Sequence, residues 1–311
     1  MSRPPRKRSR ALTSNDPRAG DTTKLSLDGL PPLRAVINAN DLKAKKSFGQ
    51  NFLMDLNLTC RIARLGEVAD RTVLEIGPGP GGLTRALLHE GARRVIAVAR
   101  DERCTPVLDA LSAHYPGRLD VVLGDALALD ARDLLGMDGS ADTDGKPIIV
   151  ANLPYGIATP LLINWLETEH WPPWWDRMVL MFQREVADRI VAVPETKAYG
   201  RLAVLCQWRA RPLIVMNLPA EAFTPPPKVT SSVVAFEPID EPLPSCEIFD
   251  LAKVTAAAFG QRRKMLRQSL KTLTPKADLI LERADIAPER RAETLTVADF
   301  ALLARTYAEL D

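Results

Sequence analysis

Short apolar runs alternate with helix-like stretches between residues 72 and 193, and no other feature of the sequence restricts the fold as strongly. Runs that are almost entirely apolar are typical of strands in a parallel sheet, because helices cover both faces of such a sheet. The alternation predicts an α/β fold with a doubly wound parallel sheet. The runs are TVLEI (72–76), RVIAV (94–98), LDVVL (119–123), PIIVA (147–151) and MVLMF (178–182).

The rest of the chain divides into a sheet-closing part and a helical part. RLAVLCQWRA (201–210) predicts a helix, and PLIVMNL (212–218) with SSVVAFEP (231–238) predicts an antiparallel pair. An acidic, Pro-rich stretch, EPIDEPLPS (237–245), precedes helical patterns that continue to the end. We therefore expect a main domain over residues 30–245 and a small all-α domain over residues 246–311.

Composition excludes several classes of protein. The 311 residues are 46% hydrophobic and 26% charged, proportions typical of soluble globular proteins. No run of about 18 apolar residues exists, so we expect no membrane span. The four cysteines are widely scattered without a CxxC pair, and the three histidines form no HExxH motif. We expect reduced thiols, no metal site and a cytoplasmic protein.

Residues 1–29 are predicted to form a basic, disordered arm. Residues 1–24 carry seven Lys or Arg against two Asp, a net charge of +5, which leaves −3 for the rest of a chain whose total is +2. No apolar segment follows the basic start, so it does not resemble a secretory signal, and its prolines and aspartates disfavour an amphipathic presequence. Such an arm is either a solvated tail or a phosphate-contacting extension.

A Gly-rich turn joins the first of the apolar runs to a helical pattern in VLEIGPGPGGLTRALL (73–88). Gly77, Gly79 and Gly81 allow a positive φ and let a ligand approach the backbone closely. Dinucleotide-binding enzymes use a similar turn, and a Gly/Pro turn without any ligand is a further alternative.

Two details of this turn favour S-adenosylmethionine as the ligand. Glu75 stands two residues before the first glycine, where a carboxylate can bind the ammonium group of the cofactor. Pro78 and Pro80 remove backbone N–H donors that a pyrophosphate would need.

Two further strand ends are expected to contact the same ligand. Asp125, in LGDAL (123–127), follows the third run and can accept a hydrogen bond from an adenine amino group. The second run should end in an acid that binds the ribose hydroxyls. Ala99 occupies that position instead, and Asp101 follows two residues later as a partial substitute.

Eight motifs, in this order, resemble the bacterial small-subunit (16S) rRNA adenine N6,N6-dimethyltransferase family over about Leu30–Arg267. The resemblance implies a Rossmann-like methyltransferase fold, S-adenosylmethionine as cofactor, the small ribosomal subunit and its rRNA as partners, and a monomer. It also implies dimethylation of two adjacent adenines near the 3′ end of that rRNA during ribosome biogenesis. The motifs are KKSFGQNFL (45–53), LEIGPGPGGLT (74–84), GDAL (124–127), NLPY (152–155), QREVADRI (183–190), KAYGRLAVL (197–205), FTPPPKVTSSVV (223–234) and FGQRRKMLRQSL (259–270).

The NLPY motif is expected to bind the target adenine. The Asn152 side-chain oxygen and the Leu153 or Pro154 carbonyl can accept from the exocyclic amine, which leaves the nitrogen lone pair freer. Pro154 stiffens the turn, and Tyr155 offers a stacking face worth roughly 1–3 kcal/mol to a base that has left its stack. By resemblance, Phe223 closes the other face. The structural alternative is a strand-ending turn with a packed tyrosine.

The resemblance also assigns cofactor contacts, and it reveals two departures from the family. Asn51 and Leu53 resemble cofactor-binding residues, although Asn51 also suits a helix cap. Ala99 replaces the family's ribose-binding glutamate, and loss of a charged hydrogen bond costs about 1.5–3 kcal/mol. Gly156 stands where an asparagine is more usual. We therefore predict a weakened enzyme rather than an inactive one.

A basic stretch, GQRRKMLRQSLK (260–271), is predicted to form one helix that contacts rRNA phosphate, with a merely solvated basic helix as the alternative. A lysine in the rigid PPPKV loop (225–229) is either a further phosphate contact or a plain loop residue. The predicted RNA-binding residues are Lys228, Arg262, Arg263, Lys264 and Arg267.

Three other functions are weighed against the small-subunit methyltransferase. A catalytically weakened assembly factor that binds the immature small subunit is supported by Ala99. A large-subunit rRNA adenine methylase shares much of the pattern, but the forms GQNFL, FTPPPKV and FGQRRK argue against it. A DNA adenine methylase usually carries a separate base-reading domain, for which the sequence gives no candidate.

Overall fold

The computed structural model describes residues 25–45, 48–136, 145–168 and 170–310. The predicted arm lies outside the described residues up to position 24. The strands are β1 (Phe52–Leu53), β2 (Thr72–Ile76), β3 (Arg94–Ala99), β4 (Leu119–Leu123), β5 (Ile148–Ala151), β6 (Arg177–Gln183), β7 (Ala210–Leu218), β8 (Phe223–Thr224) and β9 (Ser231–Pro238). The helices are α1 (Leu33–Ala39), α2 (Leu56–Leu65), α3 (Gly82–His89), α4 (Thr105–His114), α5 (Ala131–Leu134), α6 (Tyr155–Leu166), α7 (Arg184–Ile190), α8 (Arg201–Arg209), α9 (Ile248–Gly260), α10 (Leu266–Ser269), α11 (Ala277–Arg283) and α12 (Val297–Leu310).

The predicted doubly wound sheet is present, in the order β4-β3-β2-β5-β6-β9-β7. The five apolar runs form the neighbouring parallel strands β4, β3, β2, β5 and β6. β9 pairs antiparallel with both β6 and β7, as the closing pair in the sequence predicted. The chain leaves β2 toward β3 on one side, and it later returns to pair β5 on the other. The sheet therefore has a topological switch point between β2 and β5, where ligands of such sheets bind.

Alternate residues of each central strand face different helical layers. Val73 packs in a cluster with α2, α3 and α4, whereas its neighbour Leu74 packs in a cluster with α6, α7 and α8. Both side chains are fully buried. Covering both faces in this way is what the almost continuous apolar runs predicted.

The helices α9 to α12 form the predicted C-terminal helical part, but they do not have a core of their own. Their buried side chains share one cluster with Tyr199 and with Val204 and Trp208 of α8. α8 therefore carries side chains for two cores at once. No helix in the described ranges is both long and apolar enough to cross a membrane.

The prediction of a single helix over residues 260–271 is wrong. α9 ends at Gly260, a turn follows, and α10 begins only at Leu266. The turn is tied to distant parts of the chain: the Arg262 guanidinium donates to the carbonyls of Tyr199 and Thr196 and pairs with Glu293 at 2.9 Å. These tertiary bonds outweigh the helical preference of the stretch, which glycine already weakens.

A buried ion pair joins the chain before residue 30 to the main domain. Arg85 on α3 donates through Nε and Nη2 to the two carboxylate oxygens of Asp28, each at 2.6 Å. Both side chains are at least 95% buried. Arg85 also donates to the Pro31 carbonyl. Asp28 is thus packed against the main domain, two residues before the expected domain start at residue 30.

We expect Asp28→Asn to lower the free energy of unfolding by about 3 kcal/mol, because it leaves the buried Arg85 charge without its counter-ion. Urea denaturation measures this change. The matched control is Asp120→Asn, which removes an exposed partner of Arg94 at 2.5 Å. It should cost less than about 1 kcal/mol. An equal decrease in the free energy of unfolding in the two variants would show that the buried Asp28–Arg85 pair contributes no more than the exposed one.

Candidate active site

A cavity of about 280 Å³ lies at the carboxyl ends of β2, β3, β4 and β5, at the switch point of the sheet. It is bounded by segment 48–53 and by the loops that follow these four strands. The sequence predicted eight cofactor-binding residues, and all of them line this cavity. They are Asn51, Leu53, Glu75, Gly77, Gly79, Ala99, Asp125 and Asn152.

The Gly-rich turn has the backbone that its sequence predicted. Gly77, Gly79 and Gly81 have φ values of 75°, 53° and 85°. The turn also accepts segment 48–53 at close range: a Cβ at Gly82 would lie 2.7 Å from the Leu53 carbonyl oxygen. A side chain there would displace the segment, so glycine is required for packing as well as for conformation.

Glu75 is a buried carboxylate with an unsatisfied oxygen. Its side chain is 1% exposed, and Oε2 has no hydrogen-bond partner among the described residues. Burial raises the pKa of Glu75 to about 8, and the neighbouring Thr84 offsets only part of this rise. A buried acceptor without a partner is costly unless a ligand supplies the donor. A ligand ammonium group suits this position.

The strand ends expected to hold the ribose and the adenine differ in what they offer. Ala99 is 3% exposed and presents only a methyl group to the cavity. Asp101, the expected substitute, has both carboxylate oxygens engaged by Arg103 and Gln50. Asp125 lies 3.4 Å from Arg100 and accepts from a backbone amide of its own loop. Asp125 thus lines the cavity at the position predicted for an adenine acceptor, whereas the end of β3 carries no acid at position 99.

The NLPY turn presents acceptors in a fixed orientation. Asn152 Nδ2 donates to the Asn51 carbonyl at 3.2 Å. The oxygen of the same amide, Oδ1, receives no hydrogen bond from the described residues. The Pro154 carbonyl accepts from Ile157 as α6 begins, whereas no described residue donates to the Leu153 carbonyl. Of the two carbonyls predicted as acceptors, that of Leu153 is thus the free one.

Tyr155 and Phe223 have different environments. Tyr155 lines the cavity half-buried, and its hydroxyl lies 2.6 Å from Ser231 Oγ on β9. Phe223 is 3% exposed, belongs to the core beside α2 and α3, and pairs with Leu53 between β8 and β1. The structure does not place its ring among the cavity-lining residues. Phe223 is thus packed in the core, and its role at the second face of the base stays a prediction.

A family model described as ribosomal RNA adenine dimethylase matches residues 41–309 of the chain. The chain belongs to this family. The resemblance drawn from the eight motifs is thereby confirmed.

Relatives and solved structures agree with this assignment. Ribosomal RNA small subunit methyltransferase A of Rhodopseudomonas palustris (strain BisA53) is 59% identical over 286 residues, which is 92% of this chain and 97% of the relative. The protein of the same name from Sinorhizobium fredii (strain NBRC 101917 / NGR234) is 59% identical over 280 residues, 90% of this chain and 91% of the relative. Each covers nearly the whole molecule.

Two crystal structures confirm the Rossmann-like methyltransferase fold. A dimethyladenosine transferase from Plasmodium falciparum has a TM-score of 0.68 at 26% identity, covering 81% of this chain and 95% of the other. The 23S rRNA methyltransferase ErmE has a TM-score of 0.59 at 25% identity, covering 82% of this chain and 99% of the other.

Several residues that line the cavity of this rRNA adenine dimethylase were not predicted from the sequence. Phe48, Gln50 and Phe52 line the cavity, and all belong to the KKSFGQNFL motif from which only Asn51 and Leu53 were chosen. Ser231, the partner of Tyr155, belongs to the FTPPPKVTSSVV motif, from which only Phe223 and Lys228 were assigned a role. It is fully buried on β9, 76 residues away along the chain.

The predicted RNA-binding residues fall into two groups. Arg262 is held by the ion pair and carbonyl contacts described above, so its guanidinium is already used inside the protein. Arg263, Lys264 and Lys228 are exposed. Arg267 is also exposed and lies 3.7 Å from Glu289.

One group of side chains has the composition of a metal site, contrary to the expectation that the histidines and cysteines stay apart. Ligand atoms of Cys60, His89 and Glu90 lie within 4.8 Å of one another. Both carboxylate oxygens of Glu90, however, accept from Arg64 at 2.7 Å. The guanidinium therefore occupies the position that a cation would need.

We expect cofactor binding to release a proton from Glu75. With a pKa of about 8, this carboxyl is largely protonated at pH 7 before a ligand ammonium arrives. The affinity for S-adenosylhomocysteine, the demethylated cofactor, should therefore rise as the pH is raised from 6.5 toward 8. Calorimetry at pH 7 in buffers of different ionisation enthalpy measures the protons released.

Glu75→Gln is the control for this proton. It should bind the ligand more weakly, and the dependence of affinity on pH over the same range should flatten. Proton release that persists in Glu75→Gln would assign the proton to another group.

Proposed function

We propose that the chain transfers methyl groups from S-adenosylmethionine to the N6 atoms of two adjacent adenines near the 3′ end of small-subunit rRNA, acting as a cytoplasmic monomer during ribosome biogenesis. The small-subunit target is supported by the 59% identical relatives that carry this name. The observation that carries the proposal is the Asn152 amide, which is fixed with its oxygen free at the cavity that also holds the predicted cofactor residues.

The residues around the cavity offer acceptors for two parts of the cofactor, the ammonium group and the adenine amine, but no acid for the ribose. Glu75 provides an unpaired buried acceptor for the ammonium group, and Asp125 provides an acceptor for the adenine amine. Ala99 offers no polar atom to the ribose. When bound, S-adenosylmethionine supplies an electrophilic methyl group on a sulfonium.

The protein's part in the transfer is to orient a weak nucleophile. The lone pair of an adenine amine is delocalised into the ring, and acceptors on its N–H groups favour a more pyramidal nitrogen. Asn152 Oδ1 and the Leu153 carbonyl are two such acceptors on consecutive residues of one rigid turn. Both are neutral, so they hold the amine hydrogens without removing them. Fixing these groups before the base arrives avoids a reorganisation cost during the reaction.

Tyr155 supplies the stacking face for an adenine that has left its stack. Its hydroxyl is anchored to Ser231, so the ring direction is set by β9 as well as by α6. Stacking on an aromatic ring is worth roughly 1–3 kcal/mol, which is comparable to the cost of extracting the base.

A second candidate function, that of a ribosome-assembly factor, is favoured by one observation: Ala99 offers no acid to the ribose of the cofactor. A chain that retains cofactor weakly but binds the immature small subunit well would act as an assembly factor with little methyl transfer. The two functions predict the same binding partner and differ in turnover.

We expect the parent to methylate small subunits that lack these methyl groups, but only at high cofactor concentration. Ala99→Glu should lower the cofactor concentration for half-maximal rate by about 10-fold or more, because it restores charged hydrogen bonds to the ribose. Asn152→Ala should reduce the maximal rate by at least about 100-fold. Transfer of labelled methyl groups to undermethylated subunits measures both effects.

Asn38→Ala, an exposed change on α1, is the matched control and should leave the rate unchanged. Subunit binding without methyl transfer by the parent at any cofactor concentration would favour the assembly factor. Methylation of large-subunit rRNA instead would favour the large-subunit methylase.

We also propose that Arg263, Lys264 and Lys228 contact rRNA phosphate. All three are exposed, and the first two lie on the turn that Arg262 fixes from inside. Arg262 is thereby proposed to act on RNA only through the shape of this turn. Arg267 is a weaker candidate because Glu289 lies near it.

The double variant Arg263→Ala/Lys264→Ala should bind small subunits more weakly and with a smaller salt dependence. Loss of two phosphate contacts lowers the slope of log K against log salt by about 1.4 to 1.8. Titrations of labelled subunits between low and high salt measure the slope. Arg61→Ala, which removes an exposed arginine on α2, should leave it unchanged. An unaltered slope in the double variant would exclude the turn as a phosphate contact.

A further inference from the structure

Asp101 is saturated by contacts within the protein. Its Oδ1 accepts from Arg103 Nε at 2.9 Å, and its Oδ2 accepts from Arg103 Nη2 at 2.6 Å and from Gln50 Nε2 at 2.8 Å. The residue is 8% exposed although it lines the cavity. A carboxylate held in this way is a poor acceptor for a ligand hydroxyl, since each new bond would require breaking an existing one.

Gln50 connects this carboxylate to the segment that covers the cavity. Its Nε2 donates to Asp101, and its Oε1 accepts from the Lys45 backbone amide at 2.9 Å. Arg103 in turn donates to the Lys43 carbonyl at 3.2 Å. The loop after β3 thus holds the chain at two positions, Lys43 and Gln50, and Gln50 in turn holds the Lys45 amide.

The other end of segment 48–53 touches the reaction site. The Asn51 carbonyl accepts from Asn152 Nδ2, and Leu53 pairs with Phe223 on β8. The carbonyl that orients Asn152 therefore belongs to the residue directly after Gln50. A displacement of Gln50 would move the carbonyl that sets the direction of the Asn152 amide.

We propose that Asp101 and Gln50 are positioning residues, which hold segment 48–53 against the cofactor cavity and, through the Asn51 carbonyl, direct the Asn152 oxygen toward the target amine. The inference rests on the proposed function, which places the cofactor in the cavity and the target adenine at Asn152. It assigns Asp101 a role different from that of a substitute ribose ligand. One contact then supports both cofactor retention and orientation of the nucleophile.

The test compares single variants with a variant that exchanges donor and acceptor across the same contact. Asp101→Asn places an amide opposite the Gln50 amide, and Gln50→Glu places a carboxylate opposite Asp101. The double variant Asp101→Asn/Gln50→Glu restores one donor and one acceptor. Calorimetry with S-adenosylhomocysteine gives the cofactor affinity without any methyl transfer, and methylation at saturating cofactor gives the maximal rate.

Each single variant should bind S-adenosylhomocysteine about 10-fold more weakly, as expected for loss of a charged hydrogen bond. Each should also have a lower maximal rate at saturating cofactor, because Asn152 is no longer held in place. The double variant should recover a large part of the affinity for S-adenosylhomocysteine and of the maximal rate. Asp120→Asn, on the same sheet but away from the cavity, should change neither. Melting temperatures identify any variant that fails to fold.

Three results would overturn the inference while leaving the proposed function intact. The first is unchanged affinity and rate in folded single variants of a parent that binds and methylates. The second is a double variant no better than the singles, which would show that the contact itself is unimportant. The third is a loss of affinity with a normal maximal rate, which would remove the link to Asn152. A parent that neither binds S-adenosylhomocysteine nor methylates would instead refute the proposed function.

Discussion

The topological switch point between β2 and β5, where the strand order reverses direction, is the constraint on which the rest of the site depends. Parallel strands bring their carboxyl ends to one edge, and the change of direction opens a crevice there that no crossover helix covers. Glu75 and Asn152 end the two strands that flank this crevice. The group proposed for the cofactor and the group proposed for the adenine are neighbours because of strand order, although 76 residues separate them in sequence.

The parts of the site that could be predicted are those encoded locally. Glu75 and Asn152 each stand at the end of an apolar run, where strand periodicity already gives their position. Asp101, Arg262 and Phe223 were assigned to ligands because sequence patterns do not show tertiary partners. Asp101 accepts from Arg103 and from a glutamine of an earlier segment, Arg262 donates to carbonyls of the turn before α8, and Phe223 is packed in the core where two short strands pair. Long-range contacts that satisfy a polar or aromatic side chain leave no periodic signal.

Segment 48–53 completes the cavity by approaching the Gly-rich turn more closely than any side chain would allow. The absence of a Cβ at Gly82 admits the Leu53 carbonyl, and the φ values of the turn are open only to glycine at low cost. The glycines usually explained by the ligand therefore also serve the protein chain that covers it. A side chain at Gly82 would displace the Leu53 carbonyl, and one at Gly79 would lie 3.2 Å from the Phe52 ring.

The sharing of α8 between two cores makes the sheet and the C-terminal helices one packed body. Val204 and Trp208 lie in the same cluster as α9 and α12, while Leu202 and Cys206 lie in the cluster under the sheet. In the described part of the chain, α8 thus links the cluster beside the exposed basic turn after α9 to the cluster under the sheet. An RNA that met both the turn and the cavity, as proposed, would therefore have to match a spacing that the packing of α8 sets.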